Sequence, residues 1–489
     1  MGGMKSTSCF RRRSPRNLLM LLAIFVLPVA RPAGAYSLLT HEQLIDLTWQ
    51  DSIVPLLKSR YPTLTAAQLE HARAYAYGGC VIQDIGYYPF GDRSFSNLTH
   101  YVRSGDFVVN LFRNAGNADE LAFAVGALAH YIGDTIGHAQ ATNLAVPIEF
   151  PSLAAKYGKN VNYAEGPHQH VQVEFAFDIH EIAHHRLAPV HFLRHVGLKV
   201  PIRQLALAYY QTYGLQEDFS GTRGRRINVR GYRFAVHDFI PNIAYAVNLL
   251  HHQKHLVEPE NPEATALDKE VARVSLENNW KAYEHKPGIG TYTLAGLIFI
   301  LPKIGPLRMT AVKGPTTDTE AEYIHSVTFT TDALRSLLHR FTPPPTQRST
   351  ATLAAASDTQ SDPPPSTPAP ADPKAKQDVP RQSRDPNHPL ANRDLDTGHV
   401  VQPGGYPLTD STYADLLHRI AANPNQPIPP AIKEDITAYY ADLTLPITTK
   451  KDPQRWNQLL ADLKILSSMP TSNAPEPYPT YGENIVQYE

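Results

Sequence analysis

The uninterrupted run HYIGDTIGH sets His130, Asp134 and His138 four positions apart, and the chain around them, ALAHYIGDTI from Ala127 to Ile136, is otherwise apolar or small. Each four-residue step turns an α-helix by about 40°, so the three groups share one helix face. Burying two imidazoles and a carboxylate on such a face without a strong common partner costs on the order of several kcal/mol. A second pair at the same spacing, His170 and Glu174 in HQHVQVEF, repeats the arrangement. Histidine nitrogens and carboxylate oxygens are donors that divalent zinc accepts, and catalytic zinc keeps about three protein ligands with a position open for water or substrate. The pattern points to a zinc hydrolase built on helices.

Helical periodicity runs through the region from Tyr36 to about Phe341, with no series of alternating strands, so the expected fold class is all-α. The clearest expected helices span Ala66 to Tyr77, Asp106 to Asn114, Ala118 to Ile136, Val171 to Arg186, Ile202 to Tyr213, Phe239 to His252, Ala264 to Tyr283 and Thr331 to Arg340. Pro343-Pro344-Pro345 opens a stretch rich in Pro, Ser, Thr, Ala and Asp and poor in large apolar groups, expected to be a disordered linker over 343–405. Beyond it, Asp410 to Ala422, Ala431 to Leu443 and Asp452 to Ser468 read as three amphipathic helices of a small C-terminal region, 406–489. They form either a satellite bundle or a layer docked on the main domain.

The chain of 489 residues carries 45 basic and 46 acidic groups, so its overall charge gives no reason for attraction to nucleic acid or to a membrane. Residues 1–35 read as an export signal. Arg11, Arg12, Arg13 and Arg16 form a basic segment, Leu18 to Ala30 an apolar run too short for a membrane span, and Ala33-Gly34-Ala35 a small-residue cleavage site. The processed chain is then expected to begin at Tyr36, in a periplasmic or extracellular location. Cys9 falls in the signal, which leaves Cys80 without an intramolecular disulfide partner.

Three further candidate ligands precede the opening run, placed before or between the expected helices: His41, Asp84 in GCVIQDIGYYPFG, and His100 in SNLTHYV. Each alone has an ordinary structural explanation as a cap, a turn residue or a surface group. Their order changes the reading. The chain resembles the superfamily of zinc-dependent phospholipases C and single-strand-specific zinc nucleases, which includes the catalytic domain of glycosylphosphatidylinositol-specific phospholipase D. The resemblance implies a multi-helix domain, here 36–342, around a trinuclear zinc cleft. It implies that Tyr36 supplies its amino group and carbonyl beside His41. Asp134 then bridges two ions, one also held by Asp84, His100 and His130, while His138, His170 and Glu174 hold the third. It further implies hydrolysis of a phospholipid or other phosphodiester by a metal-activated water, with Asp84 orienting or deprotonating that water, and a transient contact with a membrane surface.

Three departures from the family pattern bear on this. Tyr36 stands where the bacterial enzymes usually begin with Trp, Gln83 stands where many members have Pro before the metal Asp, and the interval from Asp134 to His138 is short, as in the phospholipase D branch. Asp178, one turn beyond Glu174, is a candidate to fix a ligand histidine.

His180-Glu181-Ile182-Ala183-His184 also matches H-E-x-x-H, the zinc motif of metalloproteases, on the same expected helix as His170 and Glu174. Position 180 is turned by about 80° from position 170, so the two pairs cannot easily serve one ion. Arg223, Arg225, Arg226, Arg230 and Arg233 offer an anion-binding loop or a solvated one. The apolar stretch Thr291 to Pro302 is expected in the core, with a lipid-interface patch as the other reading. Tyr87, Tyr88, Phe90 and Phe95 are candidates to wall the site, against a nucleobase or an acyl chain. The alternatives to a phospholipase C are therefore a single-strand nuclease acting on nucleic acid, a metalloprotease, and a non-catalytic zinc-binding envelope protein. No protein partner is identifiable.

Overall fold

The computed structural model describes residues 37–87, 91–217, 219, 229–251, 261–286, 288–300, 310, 314–342 and 389–473. The helices that build and support the candidate site are α1 (Leu38–Thr48), α2 (Ala66–Cys80), α3 (Arg93–Tyr101), α4 (Ser104–Arg113), α5 (Ala118–Gly137), α6 (Asn143–Glu149), α7 (Pro167–Ala183), α8 (Ile202–Tyr213), α9 (Ile240–His251), α10 (Thr317–Phe341), α11 (Pro407–Ala421), α12 (Pro430–Tyr439) and α13 (Pro453–Ser468). Extended pairing among the described residues is confined to two isolated bridges, so the fold is all-α.

Helix α5 is the axis. Asn117 caps it by accepting the Glu120 N–H, and Asp119 and Glu120 in its first turn suit the positive end of the helix dipole. From Ala122 to Gly137 every residue is buried, because α1, α2, α4 and α10 all pack around it. The closest crossing is with α2. A Cβ at Gly126 would lie 2.2 Å from the Ala76 carbonyl oxygen, and one at Gly79 would lie 2.1 Å from that of Phe123. Only residues without a side chain allow backbones this near, which brings the end of α2, and Asp84 just beyond it, against the middle of α5.

Helix α1 was not among the expected helices. All of Leu38 to Thr48 is buried, polar residues included, so the sequence shows no amphipathic stripe there. Helix α10 begins at Thr317, well before the expected Thr331, because Thr316 and Thr319 form a reciprocal capping pair and Thr319, Glu320 and Tyr323 are buried. The apolar stretch after Thr291 lies half in the core. Ala295 and Ile298 are buried, whereas Tyr292, Phe299 and Ile300 are exposed.

The expected linker needs correcting at its end. Residues 343–388 lie outside the described residues, but 389–405 are packed on the main domain, with Leu390, Leu395, Asp394 and Asp396 buried. Hydrogen bonds hold this segment in place of a large apolar surface. Ser104 donates to the Arg393 carbonyl and accepts its N–H, the Asp106 N–H meets the Asn392 side chain, and the Tyr131 hydroxyl donates to the Ala391 carbonyl. The helices that follow dock rather than stand apart. α11 packs on α3, α12 on α8, and Arg419 pairs with Glu217 at 2.7 Å.

Candidate metal centre

Four elements converge on one buried space. α1 brings His41, the short 3₁₀ turn Gln83–Gly86 brings Asp84, α3 brings His100, and α5 brings His130 and Asp134. His41 and His100 thus lie within helices, where they were expected before or between them; both helices are short and set by tertiary packing. Gln83 explains its own departure from Pro. Its side-chain amide donates to the Ala127 carbonyl at 2.9 Å and its carbonyl accepts from Thr99, which ties the Asp84 turn to α5 and α3.

After Gly137, α5 continues as a π-helical turn, His138–Thr142, before α6 begins. Widening the helix there starts a second group in which His138 meets His170 and Glu174 from α7. Three clusters result: His41 with His130 and Asp134, Asp84 with His100 and His130, and His138 with His170 and Glu174. All eight residues are buried.

The distances discriminate between a hydrogen-bonded core and a metal site. His100 Nε2 lies 3.3 Å from Asp84 Oδ1 and 3.3 Å from Asp134 Oδ2, while His130 Nε2 lies 3.1 Å from Asp134 Oδ2 and 3.5 Å from His100 Nε2. Two ligands of a tetrahedral zinc with ordinary bonds of about 2.0–2.1 Å are about 3.3 Å apart. Four separations among these atoms are therefore those expected between neighbouring ligands of one tetrahedral ion. On the other carboxylate oxygen, Asp134 Oδ1 is 3.2 Å from His41 Nε2, so this residue faces both clusters. In the third, Glu174 Oε1 is 3.1 Å from His170 Nε2 and 3.8 Å from His138 Nε2.

Tautomers point the same way. His130 Nδ1 is 3.0 Å from the Cys80 carbonyl, His100 Nδ1 is 2.7 Å from that of Ser96, and His138 Nδ1 contacts that of Leu395. A carbonyl only accepts, so each Nδ1 carries a proton, and Nε2 is the nitrogen that each ring, when neutral, turns as a lone pair into the site. Both oxygens of Asp134, Asp84 Oδ1, His138 Nε2, His170 Nε2 and Glu174 Oε1 are buried without a hydrogen-bond partner among the described residues. Lone pairs facing lone pairs and carboxylates in a dry space need a cation between them, and zinc suits this donor set.

The electrostatics express the same demand. Burial opposes charge on His100, but the Asp134 and Asp84 carboxylates outweigh it and raise its pKa to about 10. His138 is raised to about 9 against burial by Glu174, Asp134 and Asp396. Burial works against Asp134 as well, yet His130, His100 and His41 hold its carboxyl well below the usual range. His41 is lowered, by burial first and then by His130. A metal ion supplies the positive charge that these carboxylates otherwise draw from protons.

Other sequence candidates take different places. Tyr36 lies outside the described residues, as do Tyr88, Phe90, Arg223, Arg225 and Arg226. Phe95 is core, stacked on Tyr209, and Tyr87 is buried beside His100, so neither described aromatic walls an open mouth. Asp178 touches no ligand ring. It accepts the N–H groups of Leu39 and Thr40 at 3.0 and 3.1 Å and the Thr40 hydroxyl, anchoring the start of α1 next to His41. The H-E-x-x-H residues are engaged elsewhere. Glu181 pairs with Arg186 at 3.1 Å and accepts from Gln43, and His180 faces Glu320 at 3.4 Å.

Sequence reasoning missed Leu395 and Asp396. Beside His138, Asp396 Oδ2 accepts from the Tyr101 and Tyr406 hydroxyls, and Oδ1 lies 3.9 Å from His138 Nδ1. A carbonyl ligand partner leaves no side-chain signature, and Asp396 sits in a segment whose composition reads as linker.

Residues 40–217 match the model of a family described as zinc dependent phospholipase C. No curated protein and no solved structure matches the chain.

Proposed function

We infer that this chain, whose residues 40–217 match the zinc dependent phospholipase C family model, is an exported zinc phosphoesterase that hydrolyses a phosphodiester, with a phospholipid as the expected substrate. The observation that carries this is the set of bare Nε2 and carboxylate atoms at tetrahedral-edge separations around Asp134. Three ions are proposed. Asp84, His100, His130 and Asp134 hold the first, Asp134 and His41 the second together with the amino group and carbonyl of Tyr36, and His138, His170 and Glu174 the third.

When bound by these residues, zinc would supply a Lewis acid for the phosphoryl oxygens and lower the pKa of water toward neutrality. The chain's own groups do the rest. Asp84, at the edge of the first cluster, orients the attacking water and receives its proton. The carbonyls of Cys80, Ser96 and Leu395 keep His130, His100 and His138 in the tautomer that presents Nε2. Burial keeps bulk water from competing for the carboxylates. Export is proposed from the basic, apolar and small-residue order of the first 35 residues, with a periplasmic or extracellular location as the reading it supports. None of the described helices is long and apolar enough to cross a membrane.

Hydrolysis of a chromogenic phosphodiester, abolished by a chelator and restored by zinc, is the expected result. Zinc binding without any hydrolysis would leave a non-catalytic envelope protein. Phosphatidylcholine and single-stranded DNA then separate lipase from nuclease, with turnover of the lipid expected.

A further inference from the structure

The segment 389–405 crosses the back of the metal site, well outside residues 40–217. Its turn is set by sequence. Asp394 accepts the Thr397 N–H at 2.9 Å and the Thr397 hydroxyl at 2.6 Å, the Gly398 N–H returns to the Asp394 carbonyl, and Gly398 adopts φ +73°. A Cβ on Gly398 would lie 2.6 Å from the Thr135 carbonyl oxygen, so the turn presses directly on the end of α5 between Asp134 and His138. That placement makes two contacts with ligand residues. The Leu395 N–H donates to the His100 carbonyl at 3.0 Å, and the Leu395 carbonyl accepts a hydrogen bond from His138 Nδ1–H. Asp396 follows, buried, with two tyrosine hydroxyls on one oxygen and the other turned toward His138. Its own carbonyl accepts from Asn143 at 2.8 Å, just past the π-helical turn. The same segment supplies Thr397 and His399 to a polar cavity of about 390 Å³ whose opposite wall includes Ala139 and Asn143.

We propose that Leu395 and Asp396 are positioning residues of the metal centre, so that the His138, His170 and Glu174 cluster is completed only when the returning segment 389–405 is docked. The inference rests on the zinc reading. A histidine ligand is held in orientation and made more basic by the group on its other nitrogen, and loss of such a group costs about 10–100-fold in metal affinity. Here that group comes from chain that returns after a Pro-rich stretch, so metal affinity at one cluster and docking of a distant segment are linked. By reciprocity, zinc at this cluster must stabilise the docked segment by the same factor that docking strengthens zinc.

The test uses the full chain, as wild type, Asp396→Asn and Tyr406→Phe, with zinc counted by elemental analysis along a graded chelator titration. The expected result is that Asp396→Asn weakens one ion about 10–100-fold while the others follow the wild-type curve. Tyr406→Phe, which keeps the carboxylate, should shift that same ion less. Hydrogen exchange of 389–405 in the wild type provides the second reading, and it should quicken when that one ion is removed. Superimposable chelation curves, or exchange in 389–405 that ignores zinc, would overturn the proposal. Parallel weakening of every ion would overturn it too, since it would mark a general loss of fold. A wild-type chain that takes up no zinc at all would remove the zinc reading itself, and this inference with it.

Discussion

The Nε2 atoms of His100 and His130 stand 3.5 Å apart, and both rings donate Nδ1–H to main-chain carbonyls. Two lone pairs so placed, with Asp84 and Asp134 closing the same space, repel unless a cation separates them. His130 belongs to two of the three clusters and Glu174 to one. His130 is a proposed ligand of the first ion and Glu174 of the third, so His130→Ala and Glu174→Ala are each expected to lower the zinc content by about one ion. Both should reduce hydrolysis by more than about 100-fold, beyond the loss caused by disturbing groups that merely support ligands. Full activity in a variant that has lost an ion would refute the cluster assignment.

The N-terminal ligand can be tested without touching the fold. Asp178 binds the N–H groups of Leu39 and Thr40, which fixes the start of α1 beside His41, and Tyr36 shortly precedes that start in the sequence. A processed chain beginning at Tyr36 is expected to hold three zinc ions, and the same chain with one extra residue in front should hold two, because the amine is blocked. An unchanged count would take Tyr36 out of the ligand set.

Gly126 and Gly79 permit the crossing that brings the Asp84 turn onto α5. With a Cβ at Gly126 falling 2.2 Å from a backbone oxygen, Gly126→Ala must push α2 and α5 apart. The expected cost is about 1–3 kcal/mol of stability, with weaker zinc binding at the Asp84 cluster. Chemical unfolding and a chelator titration measure the two effects. Unchanged stability would mean that the helices separate freely and that their contact does not fix the site.

The parts of the site legible in the sequence are those carried by local helix spacing: His130, Asp134, His138, His170 and Glu174. Asp84, His100 and His41 have no informative spacing, and only their order relative to the others marks them. Fold class followed from periodicity, but α1 escaped because a helix buried all round, with His41, Glu42, Gln43 and Asp46 inside, has no polar face to alternate with. The linker reading extended too far for a related reason. Composition measures the capacity to bury apolar surface, whereas 389–405 is held largely by Ser104, Asp106 and Tyr131 hydrogen bonding to its backbone and polar side chains. Leu395 acts through its carbonyl, which any residue possesses.

The H-E-x-x-H motif makes a separable prediction. Glu181 is fully buried between Gln43 and Arg186, and His180 faces Glu320, so these groups hold α7 to α1 and α10. His184→Ala should leave zinc content and phosphodiester hydrolysis unchanged. Glu181→Gln should destabilise the fold by about 1–3 kcal/mol, because Arg186 loses a charged hydrogen-bond partner and keeps Glu320 at 3.5 Å and Asp268 at 2.7 Å. Peptide hydrolysis lost in His184→Ala and retained in His130→Ala would reinstate the protease reading.

Asp178 should give stability a pH dependence of its own. Burial raises its carboxyl to about 6 from the ordinary 3.8, against the pull of Ser37, Thr40 and two backbone N–H groups. The folded chain thus holds this proton more tightly than the unfolded chain between those two values. Its contribution is most favourable below the unfolded value and is lost as pH rises through about 6. Urea unfolding of the metal-free wild type and Asp178→Asn, compared at pH values of about 4.5 and 7.5, cancels the other titrating groups. The wild type is expected to lose about 2 kcal/mol relative to the variant across that interval. A difference independent of pH would show that the carboxylate stays ionised throughout, held by the N–H groups at the start of α1.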